Sequence, residues 1–234
     1  MSVVSDFFDK LGGEMLLRTY QHVYITLIAL CLATVVALPL GIYLSKTRHK
    51  KLASAAMGAA GVIQTVPTLA LISFVVLLFA LLQPLVKPVF VLRAIGTLPA
   101  VVALVLYALL PIMRNAYTGV RQVDPSVVEV ARGMGMTRRQ SLFQVELPLA
   151  LPVIMAGLRI ASVWTIGIAT LCGLVGAGGL GDLIVKGLRN IQMDYLIAGT
   201  VPAAILALIF DGILSSLEKW LTPKGLNTRA ATRQ

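Results

Sequence analysis

The chain has 234 residues, of which 58% are hydrophobic and only 13% are charged, and its formal net charge is +10. A soluble domain normally carries about 25% charged residues, because its surface must stay in contact with water. This composition excludes an ordinary soluble domain and indicates one integral membrane domain. The Lys and Arg residues lie in short segments between apolar runs, which favours membrane lipid over nucleic acid as their surroundings.

Apolar segments long enough to cross a bilayer as helices, which takes about 20 residues each, occur five times. The sequence predicts an all-α membrane protein with spans near Val23–Leu44, Ala55–Leu82, Pro99–Met113, Leu151–Gly173 and Tyr195–Leu217. Before the first span, apolar residues recur at helical spacing among charged ones, which is typical of a short helix on the membrane surface. We expect an interfacial segment over residues 1–18, a membrane domain over 19–218 and a tail over 219–234.

The basic residues are distributed unevenly between the two sides of these spans. With the N-terminus outside, thirteen Lys and Arg residues face the cytoplasm and six face the outside. Cytoplasmic loops of membrane proteins carry an excess of Lys and Arg. We therefore expect an N-out, C-in orientation, with the tail and the loop between the third and fourth spans in the cytoplasm.

The second apolar segment is longer than one span requires and contains Pro67. We expect one long helix that is kinked or broken near this proline. Non-helical backbone at membrane depth is tolerated only where it faces protein or a water-filled cavity. Gln64, Thr65, Pro67 and Thr68 are therefore candidates for lining a transport pathway. A proline kink packed against a neighbouring helix explains the same pattern.

The loop between the third and fourth spans predicts two short helices. Ser126 and Glu129 match a capping box at the start of the first helix. Asp124, followed by Pro125 at the first helical position, is a rival start.

A glycine turn is predicted to separate these two helices. Gly133 and Gly135 can adopt the left-handed conformation that ends a helix. Thr137 and Gln140 match a second capping box. The Leu147–Pro148 pair is then predicted to turn the chain back toward the membrane.

The same loop resembles the EAA loop of ATP-binding-cassette (ABC) importer permeases. The resemblance rests on Glu129–Ala131, on Gly135 four residues later, and on the Val145–Pro148 ending. Val130 and Val145 stand where that family usually has Ala and Ile. The resemblance implies that the loop forms a coupling helix seated in a groove of a separate ATPase subunit.

It also implies roles for individual residues of the loop. Glu129 and Arg132 would make polar contacts with the ATPase, and Ala131 would allow close approach. Gly135 would permit the turn. The complete coupling set implied by the resemblance is Glu129, Ala131, Arg132, Gly133, Gly135, Met136, Leu147 and Pro148.

Four further segments are similar to osmoprotectant permeases, which carry quaternary amines such as glycine betaine, choline and carnitine. They are Gln64–Leu71, Tyr107–Ile112, Gly133–Thr137 and Gly176–Leu183. The last also resembles amino-acid importers, so an amino acid or a related amine is an alternative substrate. An ion-coupled secondary transporter is a rival from another class, although it would predict intramembrane acids or an inverted repeat.

By resemblance, the chain is part of a bacterial inner-membrane complex with an ATP-binding subunit dimer, a second permease chain and an extracytoplasmic substrate-binding protein. The sequence lacks a phosphate-binding G-x-x-x-x-G-K-[ST] loop, so ATP and Mg²⁺ are expected in the ATPase partner. Gly176-x-Gly178-x-x-Gly181 follows a predicted span and lacks the βαβ unit of a dinucleotide site. We interpret it as a tight turn between helices. No cofactor, metal or catalytic residue is expected in this chain.

Two aromatic and two ionisable residues within the apolar segments need an explanation. Tyr107 and Trp164 are further candidates for lining the transport pathway, where they could meet a quaternary ammonium by cation–π contact. Arg159 is expected to extend to the cytoplasmic interface. Asp211 is expected to pair with a basic residue or to cap a polar contact. We interpret both ionisable residues as structural.

Overall fold

A computed structural model describes residues 3–86 and 93–222, which contain helices and no β-strand. Most of the predicted tail, and the first two residues of the predicted interfacial segment, lie outside this part of the chain. The helices are α1 Val3–Lys46, α2 Lys50–Thr65, α3 Thr68–Val86, α4 Thr97–Arg121, α5 Pro125–Gly133, α6 Arg138–Ser141, α7 Leu147–Leu171, α8 Leu180–Asn190 and α9 Met193–Leu221. A π-helical turn over Leu142–Glu146 joins α6 to α7.

The prediction of five membrane spans is confirmed within the described residues. Helices long and apolar enough to cross a membrane are Ser5–Lys46, Thr68–Leu85, Thr97–Arg121, Arg138–Val175 and Met193–Leu221. The third is longer than predicted, because α4 continues as a regular helix to Arg121.

The prediction of a separate surface helix before the first span is wrong, because α1 is one continuous helix of 44 residues. Its first turns have an apolar contact that the sequence pattern does not reveal. Leu11 is buried in a cluster with Leu180 and Leu183 of α8, and Phe7 packs against that cluster. This packing holds the N-terminal turns in line with the rest of α1.

The second predicted span is broken and not only kinked. Helix α2 ends at Thr65, and Val66 is extended, with φ −70° and ψ 128°. Helix α3 starts again at Thr68. A proline disfavours helical backbone in the residue before it, which accounts for the extended Val66. The α2 helix is thus a separate segment of 16 residues that leads into the span formed by α3.

Helices α1, α4 and α7 form the centre of the molecule through small side chains. Ala29, Ala33, Ala103 and Ala161 have no exposed surface. Lipid supplies no hydrophobic force between membrane helices, so their association depends on close packing. Small residues allow this packing, because they let the helix backbones approach each other. Gly157 marks one such approach, since a Cβ there would overlap the side chain of Asn115 on α4.

The interpretation of the glycine-rich segment as a tight turn is supported by its geometry. Gly176, Gly178 and Gly179 have positive φ values of 69°, 82° and 78°. A Cβ at Gly181 would overlap the carbonyl group of Thr170 on α7. The turn therefore brings the start of α8 directly against the end of α7.

We predict that Gly157→Ala destabilises the protein by about 1–3 kcal/mol, because the added methyl overpacks the contact between α7 and α4. The matched control is Gly167→Ala on the same helix, where a Cβ would meet nothing within 4 Å. Thermal unfolding of the detergent-solubilised protein measures both. An equal midpoint for the two variants would contradict the close approach.

Candidate functional site

Helix α5 begins at Asp124, whose carboxylate accepts hydrogen bonds from the Ser126 backbone N–H (2.9 Å) and hydroxyl (2.8 Å). Pro125 follows at the first helical position, where its missing N–H costs nothing. The prediction that Asp124 caps the start of α5 is therefore confirmed, and the rival prediction of a Ser126–Glu129 capping box is wrong. Glu129 is exposed on the helix surface.

The end of α5 is a Schellman motif at Gly135. The Met136 N–H donates to the Ala131 carbonyl (3.2 Å), and the Gly135 N–H donates to the Arg132 carbonyl (2.9 Å). Gly135 has φ +85°, as predicted for a left-handed helix end. Gly133 does not share this conformation, because it is still the last residue of the helix. The prediction for Gly133 is therefore wrong.

The second predicted capping box is confirmed at Thr137. The Gln140 N–H donates to Thr137 Oγ1 (3.3 Å), and the Thr137 N–H donates to Gln140 Oε1 (2.9 Å). This cap starts α6, which continues through the π turn into α7.

The predicted turn at Leu147–Pro148 is wrong, because the chain is helical from Arg138 through Leu171. Pro148 lies in the first turn of α7. In a regular helix its ring would clash with the preceding turn and remove a hydrogen bond. The π turn is wider than a regular helical turn at this point, because the Leu147 N–H donates to the Leu142 carbonyl five residues earlier. The wider turn accommodates the proline, so the loop and the span form one helix.

A buried ion pair fixes this helix to the end of α1. Lys46 Nζ pairs with Glu146, whose side chain is only 3% exposed. The Ser141 hydroxyl donates to the other carboxylate oxygen (3.3 Å). A buried carboxylate needs such partners, because leaving it unpaired would cost several kcal/mol. We call residues 124–146, from the α5 cap to this pair, the coupling segment.

The residues implied for ATPase contact differ in accessibility. Ala131 is 2% exposed, because it is on the inner face of α5, which packs on α6 and the π turn. Its small side chain therefore serves packing inside the chain. Exposed residues of the implied set are Glu129, Arg132, Gly133 and Gly135, and half-buried ones are Met136, Leu147 and Pro148.

Two of the predicted pathway residues hold the break between α2 and α3. The hydroxyl of the buried Tyr107 donates to the Val66 carbonyl. Gln64 Nε2 donates to the Tyr107 carbonyl (3.1 Å). These bonds fit the alternative in which the proline break packs against a neighbouring helix, here α4. Thr65 and Pro67 are exposed, and Thr68 is half-buried.

Trp164 is 51% exposed and lines a cavity of about 310 Å³ together with Arg159 and Asp211. The Arg159 guanidinium donates to both carboxylate oxygens of Asp211, at 2.8 and 2.9 Å. The prediction that Asp211 pairs with a basic residue is therefore confirmed, and the extension of Arg159 to the interface stays a prediction. The structure does not bring Trp164 together with Tyr107, which is committed to the Val66 carbonyl.

At the opposite end from Lys46, an ion pair joins α1 to α8. Arg18 Nη1 lies 2.7 Å from Asp182 Oδ2. Burial raises the pKa of the Asp182 carboxyl, and the positive charge of Arg18 opposes that rise. Gln21 Oε1 accepts from the Gly179 N–H (3.1 Å) and holds the glycine-rich turn on the same helix. Within the described ranges, no cluster of His, Cys, Asp and Glu could hold a metal ion.

Comparison with known families matches residues 37–224 to the family described as "Binding-protein-dependent transport system inner membrane component". The match covers well over half of the chain. The chain belongs to this family. It is thus a bacterial inner-membrane permease, which is a different class from the ion-coupled secondary transporter considered above.

The permease is similar over nearly its whole length to two proteins of Bacillus subtilis (strain 168). It is 43% identical to the glycine betaine/carnitine/choline transport system permease protein OpuCB, with 97% of each chain covered. It is 44% identical to the choline transport system permease protein OpuBB, again with 97% of each chain covered. Its fold matches a solved inward-facing MetNI methionine ABC transporter with a TM-score of 0.76 and 23% identity, covering 89% of this chain and 97% of that one.

The permease has features in its coupling segment that sequence reasoning missed. Val127 and Val130 on α5 and Met134 at its C-cap are exposed at helical spacing, although they are apolar. Their spacing of three, four and seven residues could have revealed this face. The partner of Glu146 could not be read from the sequence, because Lys46 is 100 residues away.

We predict that Tyr107→Phe destabilises the permease by about 1–3 kcal/mol, because it leaves the Val66 carbonyl without its donor. Tyr43→Phe is the control, because Tyr43 is exposed on α1. Thermal unfolding in detergent compares the two. If both variants unfold at the wild-type midpoint, the hydroxyl does not hold the break.

Proposed function

We propose that the permease is the membrane subunit of an ATP-driven importer for a small osmoprotectant such as glycine betaine, choline or carnitine. Two relatives named for these compounds, each similar over 97% of the chain, support this substrate class. An amino acid or a related amine is the alternative substrate. ATP and Mg²⁺ belong to the ATPase partner.

The coupling segment would seat in a groove of the ATPase dimer. The exposed Val127, Val130 and Met134 support this, because an amphipathic helix docks in a groove through apolar residues at such spacing. Glu129 and Arg132 are exposed on the same helix and would make polar contacts beside this apolar face.

The observation that carries the proposal is the unbroken helix from Arg138 through Leu171. Because no flexible joint separates α6 from the span, a displacement of the coupling segment moves α7 as a rigid body. The Lys46–Glu146 pair connects the same movement to α1. Closure of the ATPase dimer would thus reach two of the three central helices directly.

The complete transporter would contain two permease chains related by a two-fold axis. Five spans with a solid centre of small residues do not enclose a pathway within one chain, which supports a pathway between two chains. An extracytoplasmic binding protein would deliver the substrate. The excess of basic residues at the Lys46 end supports a cytoplasmic location for the coupling segment and an N-out, C-in orientation.

We predict that substitutions of Gly135 weaken ATPase binding, least for Asn, more for Ala and most for Val. Gly135 has φ +85°, where a side chain costs about 1 kcal/mol and a β-branched one costs more, while Asn is tolerated best. Affinity purification from the protein's own cells in mild detergent, with every co-purifying chain quantified, measures the effect. The same eluate reports whether the second permease chain is identical to this one.

Gly58→Ala is the control for this series, because a Cβ there meets nothing within 4 Å and φ is not positive. It should co-purify with the ATPase as well as wild type does. The absence of any ATPase from the wild-type eluate would refute the proposal. Equal recovery with Gly135→Val would refute the role of the turn.

We predict that cells with this permease as their only osmoprotectant permease accumulate radiolabelled choline or glycine betaine. Uptake should persist when the proton gradient is dissipated while ATP is maintained, because ATP and not an ion gradient drives the system. A panel of labelled amino acids tests the alternative substrate. Amino-acid uptake without quaternary-amine uptake would overturn the substrate assignment and leave the ATP-driven mechanism standing.

A further inference from the structure

Three charged side chains of α7 and α9 form a cluster within the membrane-spanning part of the permease. Arg159 pairs bidentately with Asp211, at 2.8 and 2.9 Å, and its Nη1 lies 3.4 Å from Glu218 Oε2. Among the described residues, no other basic side chain forms an ion pair with either carboxylate. The cluster therefore combines one positive and two negative charges and has a surplus of one negative charge.

The charge and exposure of this cluster indicate its surroundings. At 1.5 Å per residue, Arg159 lies about 24 Å along the helix from Val175, and Glu218 lies about 5 Å from the end of α9 at Leu221, so the cluster is displaced toward the end of the bundle that contains Lys46. The side chains of Arg159 and Asp211 are 32% and 38% exposed. Ionised side chains on membrane-spanning helices usually face a bundle interior or water, because lipid does not solvate them. This face of α7 and α9 is therefore turned toward water or protein.

The exposed indole of Trp164 lies in the same cavity as Arg159 and Asp211. The cavity measures about 310 Å³, and its remaining walls are the apolar side chains of Ala156, Ile160 and Val163. Trp has the strongest cation–π attraction of the aromatic side chains, and methyl groups on a cation suit an apolar wall. An aromatic face, apolar walls and surplus negative charge together match a small organic cation.

We propose that this cavity is a transient binding site for a quaternary ammonium group on its way through the permease. The ammonium lies over the Trp164 ring and faces the carboxylate of Asp211, while Glu218 adds its negative charge through its contact with Arg159. Arg159 is a positioning residue, because it holds Asp211 and offsets one of the two negative charges. The site rests on the proposed function for the identity of its cargo, and the cavity geometry supplies the ligand chemistry.

The half-open geometry of the site is suited to transport. One face of the indole remains accessible, and the carboxylate of Asp211 is already shared with Arg159. A cation is therefore attracted without being enclosed and can leave again. A site of this kind lowers the barrier to crossing the membrane interior and adds little selectivity.

The test measures Trp164 fluorescence in the ATPase-bound complex purified without the binding protein. The chain has two Trp residues, and the difference between wild-type and Trp164→Phe complexes isolates the signal of Trp164 from all other indoles. Choline chloride should quench this difference signal saturably. The neutral carbon isostere of choline, 3,3-dimethylbutan-1-ol, should leave it unchanged at equal concentration.

Charge variants of Glu218 test the surplus negative charge. Glu218→Gln removes it while the bidentate Arg159–Asp211 pair remains, so choline should bind roughly tenfold more weakly. Glu218→Asp keeps the charge and should bind choline within about twofold of wild type. Equal affinity for choline in the Gln variant and in wild type would overturn the proposal.

Four other outcomes are decisive. If wild-type cells import choline but choline does not quench the Trp164 signal, the site is refuted and the proposed function stands. If choline and its neutral isostere quench equally, the cavity does not recognise a cation. If Trp164→Ala lowers the recovery of the second permease chain and leaves choline import unchanged, this face is a subunit contact. If choline specifically quenches the Trp164 signal of the purified complex but the cells import no quaternary amine, the site is supported and the proposed function is refuted.

Discussion

Backbone polar groups in the membrane interior must find partners within the protein, because lipid offers none. This constraint explains how the permease combines long helices with interruptions. Where Pro67 breaks the second span, the Tyr107 hydroxyl takes over the Val66 carbonyl. Pro111 within α4 has no N–H for the Tyr107 carbonyl four residues earlier, and Gln64 Nε2 donates to that carbonyl (3.1 Å). At these two prolines a side-chain donor therefore replaces a missing backbone donor.

The same constraint separates rigid from adjustable parts. The π turn before Pro148 keeps α6 and α7 continuous as one helix. The glycine-rich turn at the other end of α7 joins it to α8 through three residues with positive φ. If the ATPase acts on the coupling segment as proposed, the movement of α6 passes directly into α7 and reaches the glycine-rich turn at the far end of that helix. The break at Val66 then lets α2 and α3 respond separately to that movement.

Features set by neighbouring residues could be predicted from the sequence, and features set by distant contacts could not. The Thr137–Gln140 cap and the left-handed Gly135 depend on residues within one turn, and both predictions are confirmed. The turn expected at Leu147–Pro148 is wrong because a π turn accommodates the proline. The partner of Arg159 could not be read from the sequence, because Asp211 lies on another helix, 52 residues along the chain. The roles in ATPase contact and in pathway lining stay predictions, because they depend on surfaces of other chains.

The permease has two charge clusters of opposite sign. The Lys46–Glu146 pair lies in a cavity that is also lined by Arg132, Arg138 and Arg139. Its carboxylate is closed to solvent and also bonded by Ser141, so the pair fixes helix positions. The Arg159 cluster is unbalanced, partly exposed and adjacent to an indole. Its surplus negative charge beside an indole suits the quaternary ammonium group that all the proposed substrates share, whether the substrate is the cation choline or a zwitterion such as glycine betaine.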